Sequence, residues 1–95
     1  MADLPRVECI FCDVDGTLII DGKLNRALVL WLEERNGKGY EVNLWSAAGR
    51  QHAVDIARKH GIEDLFDSIT SKPGYVVDDL GWGWTKYARV VRGFV

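Results

Sequence analysis

The chain has 95 residues, 47% hydrophobic and 27% charged, with four Trp, three Tyr and three Phe, enough apolar bulk for one core and too little length for a second. Its net charge of −2 excludes recruitment of nucleic acid or anionic lipid by bulk electrostatics. No apolar run approaches the ~20 residues of a membrane span, and Met1–Arg6 lacks the basic-then-apolar order of a signal peptide, so a single soluble, cytoplasmic domain over 1–95 is expected.

Val7–Cys12 is a continuous apolar run, the pattern of a strand buried on both faces of a parallel sheet. Cys9 and Cys12 stand in it as C-x-x-C, but an offset of three in a strand sends the two side chains to opposite faces. They are therefore expected to be two small buried residues and not a redox pair or half a zinc site. Leu18–Leu24 predicts a small hairpin turning at Asp21-Gly22. Asn25 is placed to cap a helix running to about Arg35, with Leu28, Trp31 and Leu32 on its apolar face, and Asn36-Gly37-Lys38-Gly39 stops it. Tyr40–Trp45 alternates as a strand should, and Gly49–His60 predicts a second helix carrying Ala53, Ile56 and Ala57 inward. A short strand is expected near Phe66–Thr70 and a third clear one at Tyr75–Val77. In the tail, Leu80–Val95, the pattern suggests a helical turn at Thr85–Ala88 and an edge strand in Arg89–Phe94. This order predicts an α/β fold, a three-layer sandwich around a small, mostly parallel sheet. The first strand is expected at its centre, the next two on one side, and Tyr75–Val77 on the other.

Chemistry gathers at the expected strand ends, where such sheets bind ligands. The first strand ends in Asp13-Val14-Asp15-Gly16-Thr17. Two carboxylates so close repel each other and resist desolvation unless a cation neutralises them. Mg²⁺ accepts such oxygen ligands together with water and phosphate. Tyr75–Val77 ends in Asp78-Asp79, so adjacency of the two strands would bring four carboxylates together. A single strand-end Asp is ordinarily a turn former or cap, but four at neighbouring ends are not explained that way. Ser46-Ala47-Ala48-Gly49 leads into a helix N-terminus, whose free N–H groups and dipole favour an anion, although Ser46 alone suits a simple N-cap. Lys72, before Pro73, is ordinarily a solvated loop charge, yet it lies near the acidic pair and suits a carboxylate and a phosphate alike. Together these elements describe a phosphoryl-transfer site.

The run Ile10-Phe11-Cys12-Asp13-Val14-Asp15-Gly16-Thr17-Leu18 resembles the signature of the haloacid dehalogenase-like (HAD) superfamily, and its four fixed positions arise by chance at about 10⁻⁵ per start point. Ser46, Lys72-Pro73 and Val77-Asp78-Asp79 follow in the family's order, so the resemblance spans residues 7 to 79. It implies a Rossmann-like HAD fold and a Mg²⁺-dependent phosphatase, a phosphoric monoester hydrolase. Asp13 would be the nucleophile, forming an aspartyl-phosphate. Asp15 would be the general acid and then base. Ser46, Ala47 and Lys72 would hold the phosphoryl oxygens. Metal ligands would be Asp13, Asp15 through its carbonyl, and Asp79, with Asp78 in support.

The chain departs from that family in lacking room for a cap domain. Asp15 and Ser46 are 31 positions apart, Ser46 and Lys72 are 26 apart, and Lys72 and Asp78 only six, too few for the family's usual intervening helix. A cap excludes water and reads the substrate beyond its phosphate; an open site suits bulky substrates such as phosphorylated nucleic-acid ends or nucleotides. Trp82 and Trp84 beside Lys86, Arg89 and Arg92 fit stacking on a base and equally fit closing the core or a subunit contact. Alternatives are a sugar or small-metabolite phosphatase whose lid comes from a neighbouring subunit, and a non-catalytic module that binds a phosphorylated partner. An open sheet edge in so short a chain points to a homo-oligomer. His52 and His60 are expected to be ordinary helix residues.

Overall fold

The computed structural model describes residues 8–94; the expectations for Met1–Arg6 and for Val7 lie outside them. Strand β1 (Cys9–Asp13) is followed by a two-stranded hairpin, β2 (Ile19–Ile20) and β3 (Lys23–Leu24). Ile20 pairs with Lys23 around Asp21 and Gly22, whose φ values of 51° and 76° are those a two-residue type I′ turn requires. The Asn25 side chain accepts the Leu28 N–H at 3.3 Å, satisfying an orphan donor at the start of α1 (Arg26–Gly37). Next come β4 (Glu41–Ser46), α2 (Arg50–Lys59), a 3-10 turn at Glu63–Leu65 and β5 (Ser68–Ser71). A second 3-10 segment covers Gly81–Tyr87.

The main sheet is parallel, in the order β1-β4-β5. Cys12, Leu44 and Ile69 lie side by side across it, with Ile10 beside Val42. Two right-handed crossovers advancing in the same direction put both connecting helices on the same face. Accordingly Leu28, Val29 and Leu32 of α1 and Ala53 and Ala57 of α2 join Cys12, Val42 and Leu44 in one buried cluster, closed by Val14, Leu18 and Phe66. The alternate strand residues form the other face. There Phe11 stays 46% exposed and tilts against Trp45 at 4.6 Å between ring centroids. Asn43, buried on that face, donates to Glu41 Oε2 at 2.8 Å and accepts from Ser68.

The result is a small α/β domain with a parallel three-stranded sheet, and it corrects the expected topology in three respects. Among the described residues the architecture has two layers and not three, because strand order runs one way only and brings no helix to the Phe11 face. β1 lies at an edge of the sheet and not at its centre. Tyr75–Val77 forms no strand; Tyr75 and Val77 are 96% and 102% exposed. The physical reason is connection length. A parallel neighbour for β1 needs a crossover of a dozen or more residues, and only Lys72, Pro73 and Gly74 separate β5 from Tyr75. The tail likewise forms a longer 3-10 segment than the expected turn and no strand in Arg89–Phe94. Its end returns to α1, where Phe94 packs against Trp31 at 5.5 Å and its carbonyl accepts from Asn25 at 2.9 Å. Among the described residues no helix is long and apolar enough to cross a membrane.

The two thiols lie on opposite faces, as the strand offset predicts, and both are free. Burial, reinforced by the neighbouring Asp13, pushes the Cys12 thiol up to about 12. Burial and the hydrogen bond to Glu41 push Cys9 up to about 11. Neither supplies appreciable thiolate near neutral pH; Cys12 is the buried core residue expected, whereas Cys9 is only partly buried, on the open face, where its thiol donates to Glu41 Oε2 at 3.1 Å.

Candidate functional site

The site forms where β1 and β4 end together, Asp13 lying opposite Trp45. Beyond Asp13 the chain turns back sharply: Leu18 N–H bonds the Asp13 carbonyl at 3.3 Å, and Ile19 N–H bonds that of Val14 at 3.0 Å. Gly16, at φ 83°, allows that loop a left-handed step that a side chain would strain. Val14 and Leu18 are buried under the loop, which anchors it while Asp15 is left exposed. An apolar–acidic alternation thus serves two purposes: Val14 pins the backbone and its two acidic neighbours face outward.

Three contacts organise the carboxylates. Thr17 Oγ1 donates to Asp13 Oδ2 at 3.4 Å. Lys72 Nζ stands 4.0 Å from Asp13 Oδ1 and 5.8 Å from the Trp45 ring centroid. Its backbone N–H is tied to the Ser46 carbonyl at 2.9 Å, so the end of β4 fixes where the lysine emerges. His52 Nε2 lies 3.0 Å from Asp15 Oδ2 and 3.3 Å from Oδ1. Nothing in the local sequence pairs these residues, which are 37 positions apart. The available signal is positional: His52 sits on the first turn of the helix that follows a strand ending at the site, and a first turn there faces the same rim as the strand ends.

Ser46 is buried, and its Oγ accepts the Ala48 N–H at 3.0 Å. The hydroxyl therefore braces the loop carrying Ala47, which is exposed beside the helix start. Arg50 N–H at the opening of α2 is bonded to Ser71 Oγ at 2.9 Å. That donor is occupied by a neutral oxygen which an anion could displace.

Asp78 and Asp79 do not join this group. Both are exposed, and Asp78 Oδ1 accepts the Leu80 N–H at 2.8 Å, forming a local turn into the 3-10 segment. Among the described residues no three or more His, Cys, Asp or Glu side chains gather for a metal ion, so the expected convergence of four carboxylates is absent from this arrangement. Asp13 and Asp15 alone are a hard, all-oxygen pair, a donor set that fits Mg²⁺, which commonly takes one or two carboxylates and keeps water and substrate phosphate for the rest. Trp82 is well exposed and does not close the core. A shallow depression lined by Tyr40, Glu41 and Asp67 lies at the amino end of β4, away from Asp13.

Comparison with protein-family models, with curated proteins and with solved structures finds no match for this chain.

Proposed function

We propose that the protein is an uncapped phosphomonoesterase of the HAD type in which Asp13 is the nucleophile. The observation that carries this reading is the Asp13-x-Asp15 pair at a parallel strand end with a lysine ammonium 4.0 Å from the first carboxylate. Asp13 is partly exposed and reachable, with its charge balanced on one side only. A phosphoryl group approaching it meets Lys72 and the loop at Ala47, which together offset the phosphate charge.

In the first half-reaction an Asp13 carboxylate oxygen attacks phosphorus, the bond to the ester oxygen breaks, and Asp15 in its protonated form gives that oxygen its proton. In the second, Asp15 takes a proton from water, which attacks the aspartyl-phosphate and releases inorganic phosphate. Held by Asp13 and Asp15, Mg²⁺ would supply positive charge against the phosphate oxygens. His52 Nε2 lies within hydrogen-bond reach of Asp15 Oδ2, at 3.0 Å, and acts as a positioning residue for the proton-transferring carboxylate. With no inserted domain between β1 and α1 beyond the β2–β3 hairpin, the rim is open to large substrates. A phosphorylated nucleic-acid end or a nucleotide is the substrate class this suits, the exposed Trp82 offering a stacking surface nearby in sequence.

The test is hydrolysis of an aryl phosphate in Mg²⁺, with and without EDTA, followed by a panel of 3′- and 5′-phosphorylated oligonucleotides, nucleotides and sugar phosphates. EDTA is expected to abolish turnover, and quenched samples should carry a phosphoryl adduct on the peptide containing Asp13. An adduct elsewhere, or turnover indifferent to EDTA, would overturn the assignment. His52→Ala gives a finer expectation. Aryl phosphates have good leaving groups that need little protonation, so their kcat/KM, which reports the first half-reaction, should barely move, whereas kcat/KM for an alkyl phosphate should fall roughly tenfold. Equal losses on both substrates would mean that His52 acts only on local structure.

A further inference from the structure

We infer that the open edge of β1 is completed by Tyr75–Val77 from a second copy of this chain, which delivers Asp78 and Asp79 to the site of the first. This rests on the phosphatase reading for its consequence but not for its structural content. Three observations carry it. β1 is an apolar edge strand, Cys-Ile-Phe-Cys-Asp, with no described strand on its outer side, the kind of edge that recruits another strand. The other edge strand, β5, is short and mostly hydroxylated, Ser-Ile-Thr-Ser, and is a poorer template. The chain also carries one unused segment of high strand propensity, Tyr75-Val76-Val77, whose first and last side chains are almost wholly in solvent.

The same chain cannot bring these two together in the useful direction. β5 ends at the site rim, and the three residues Lys72–Gly74 allow at most about 15 Å of travel. Passing from β5 to the outer side of β1 crosses three strand spacings, about 14 Å. A fully stretched link over the top of the site would reach, but the strand would then run antiparallel to β1 and carry Asp78 and Asp79 to the far end of the sheet. A second copy is tied by the same short link but escapes the limit on direction: with the carboxyl end of its β5 near the amino end of β1, its strand runs parallel to β1. With Asp78 opposite Asp13, Val76 lies beside Phe11 on the open face, while Tyr75 and Val77 fall beside Ile10 and Cys12 on the helix-covered face. Lys72-Pro73-Gly74 becomes the hinge, and a short connection is the circumstance in which exchange of an element between copies replaces closure within one. Two-fold symmetry makes the exchange mutual, giving a closed dimer with two composite sites.

The experiment has a structural arm and a functional arm. Light scattering on the full chain is expected to show a dimer, and Val76→Pro/Val77→Pro to give a folded monomer. Proline removes ladder donors, and Val76 and Val77 lie outside the buried core, so a circular dichroism spectrum like the wild type's is expected. A wild type that stays monomeric at high micromolar concentration overturns the inference, as does a dimer that survives both prolines. In the functional arm, Asp13→Asn and Asp78→Asn/Asp79→Asn chains, each inactive alone, are refolded together. Random pairing makes half of the dimers mixed, each with one intact site of its two, so composite sites should restore roughly a quarter of wild-type activity per chain. No recovery, with an active wild type, overturns delivery from the partner. An inactive wild type that is nonetheless a proline-sensitive dimer overturns the phosphatase reading and leaves the strand exchange standing.

Discussion

Asp13→Asn is expected to lower kcat/KM toward an aryl phosphate by roughly 10³-fold or more, while the thermal midpoint stays within a few degrees of wild type. The carboxamide keeps the size of the side chain and one of its acceptor oxygens but loses the anionic oxygen that, in the proposed mechanism, bonds to phosphorus. No neighbouring group can replace it: Thr17 donates toward Asp13 at 3.4 Å and is itself an alcohol without an adjacent base, and Asp15 is engaged with His52. A 10³-fold loss corresponds to about 4 kcal/mol of transition-state stabilisation. The folded state loses far less. The Asp13 side chain is 33% exposed and its Lys72 partner 44%, and an ion pair at 4.0 Å in that setting contributes about 1 kcal/mol at most. The distinction is measured by pairing initial rates with a melting curve. Turnover that persists in a folded Asp13→Asn chain would remove the nucleophile from this position.

The site's two halves differ in how legible they are in the sequence, for a physical reason. The β1 end is written locally: an apolar run, two acids bracketing Val14, and a Gly where the backbone needs a positive φ. The β2–β3 turn at Asp21-Gly22, the Asn25 cap and the alternation of β4 are local in the same way, and the structure forms each of them. Edge or centre is not a local property. Val7–Cys12 has the composition of a fully buried strand, yet Phe11 faces a side of the sheet to which no described helix returns. Tyr75–Val77 has the propensity of a strand but lacks the connection that would let it pair in parallel, and propensity yields to that geometric limit. Its failure removes Asp78 and Asp79 from the Asp13 group, because their convergence was an inference about strand adjacency and not about the acids themselves. The Asp15–His52 pair was invisible for the opposite reason. It depends on where the first turn of α2 lands relative to the β1 loop, which only the folded packing determines.

The packing that holds these loops in place makes Leu44→Ala the substitution with the largest expected effect on stability. Leu44 is wholly buried in the middle strand, flanked by Cys12 and Ile69 in register, within the cluster to which both helices contribute. Removing its branched end deletes the transfer free energy of the lost carbons and leaves a cavity that strands held on both sides cannot readily collapse, so the cost should lie near 3–4 kcal/mol. Domains of this size have total stabilities of roughly 5–15 kcal/mol and lose about 4–8 °C in Tm per kcal/mol, which places the expected drop at roughly 15–25 °C by calorimetry or circular dichroism. Phe11→Ala, on the open face of the neighbouring strand, removes a larger side chain but one already 46% exposed. If burial governs the outcome it should cost less than Leu44→Ala despite the greater volume deleted. The reverse order would mean that the Phe11–Trp45 face, and not the helix-covered face, is the principal core. The β1 and β4 ends that carry Asp13 and Ser46 would then be supported from the opposite side of the sheet.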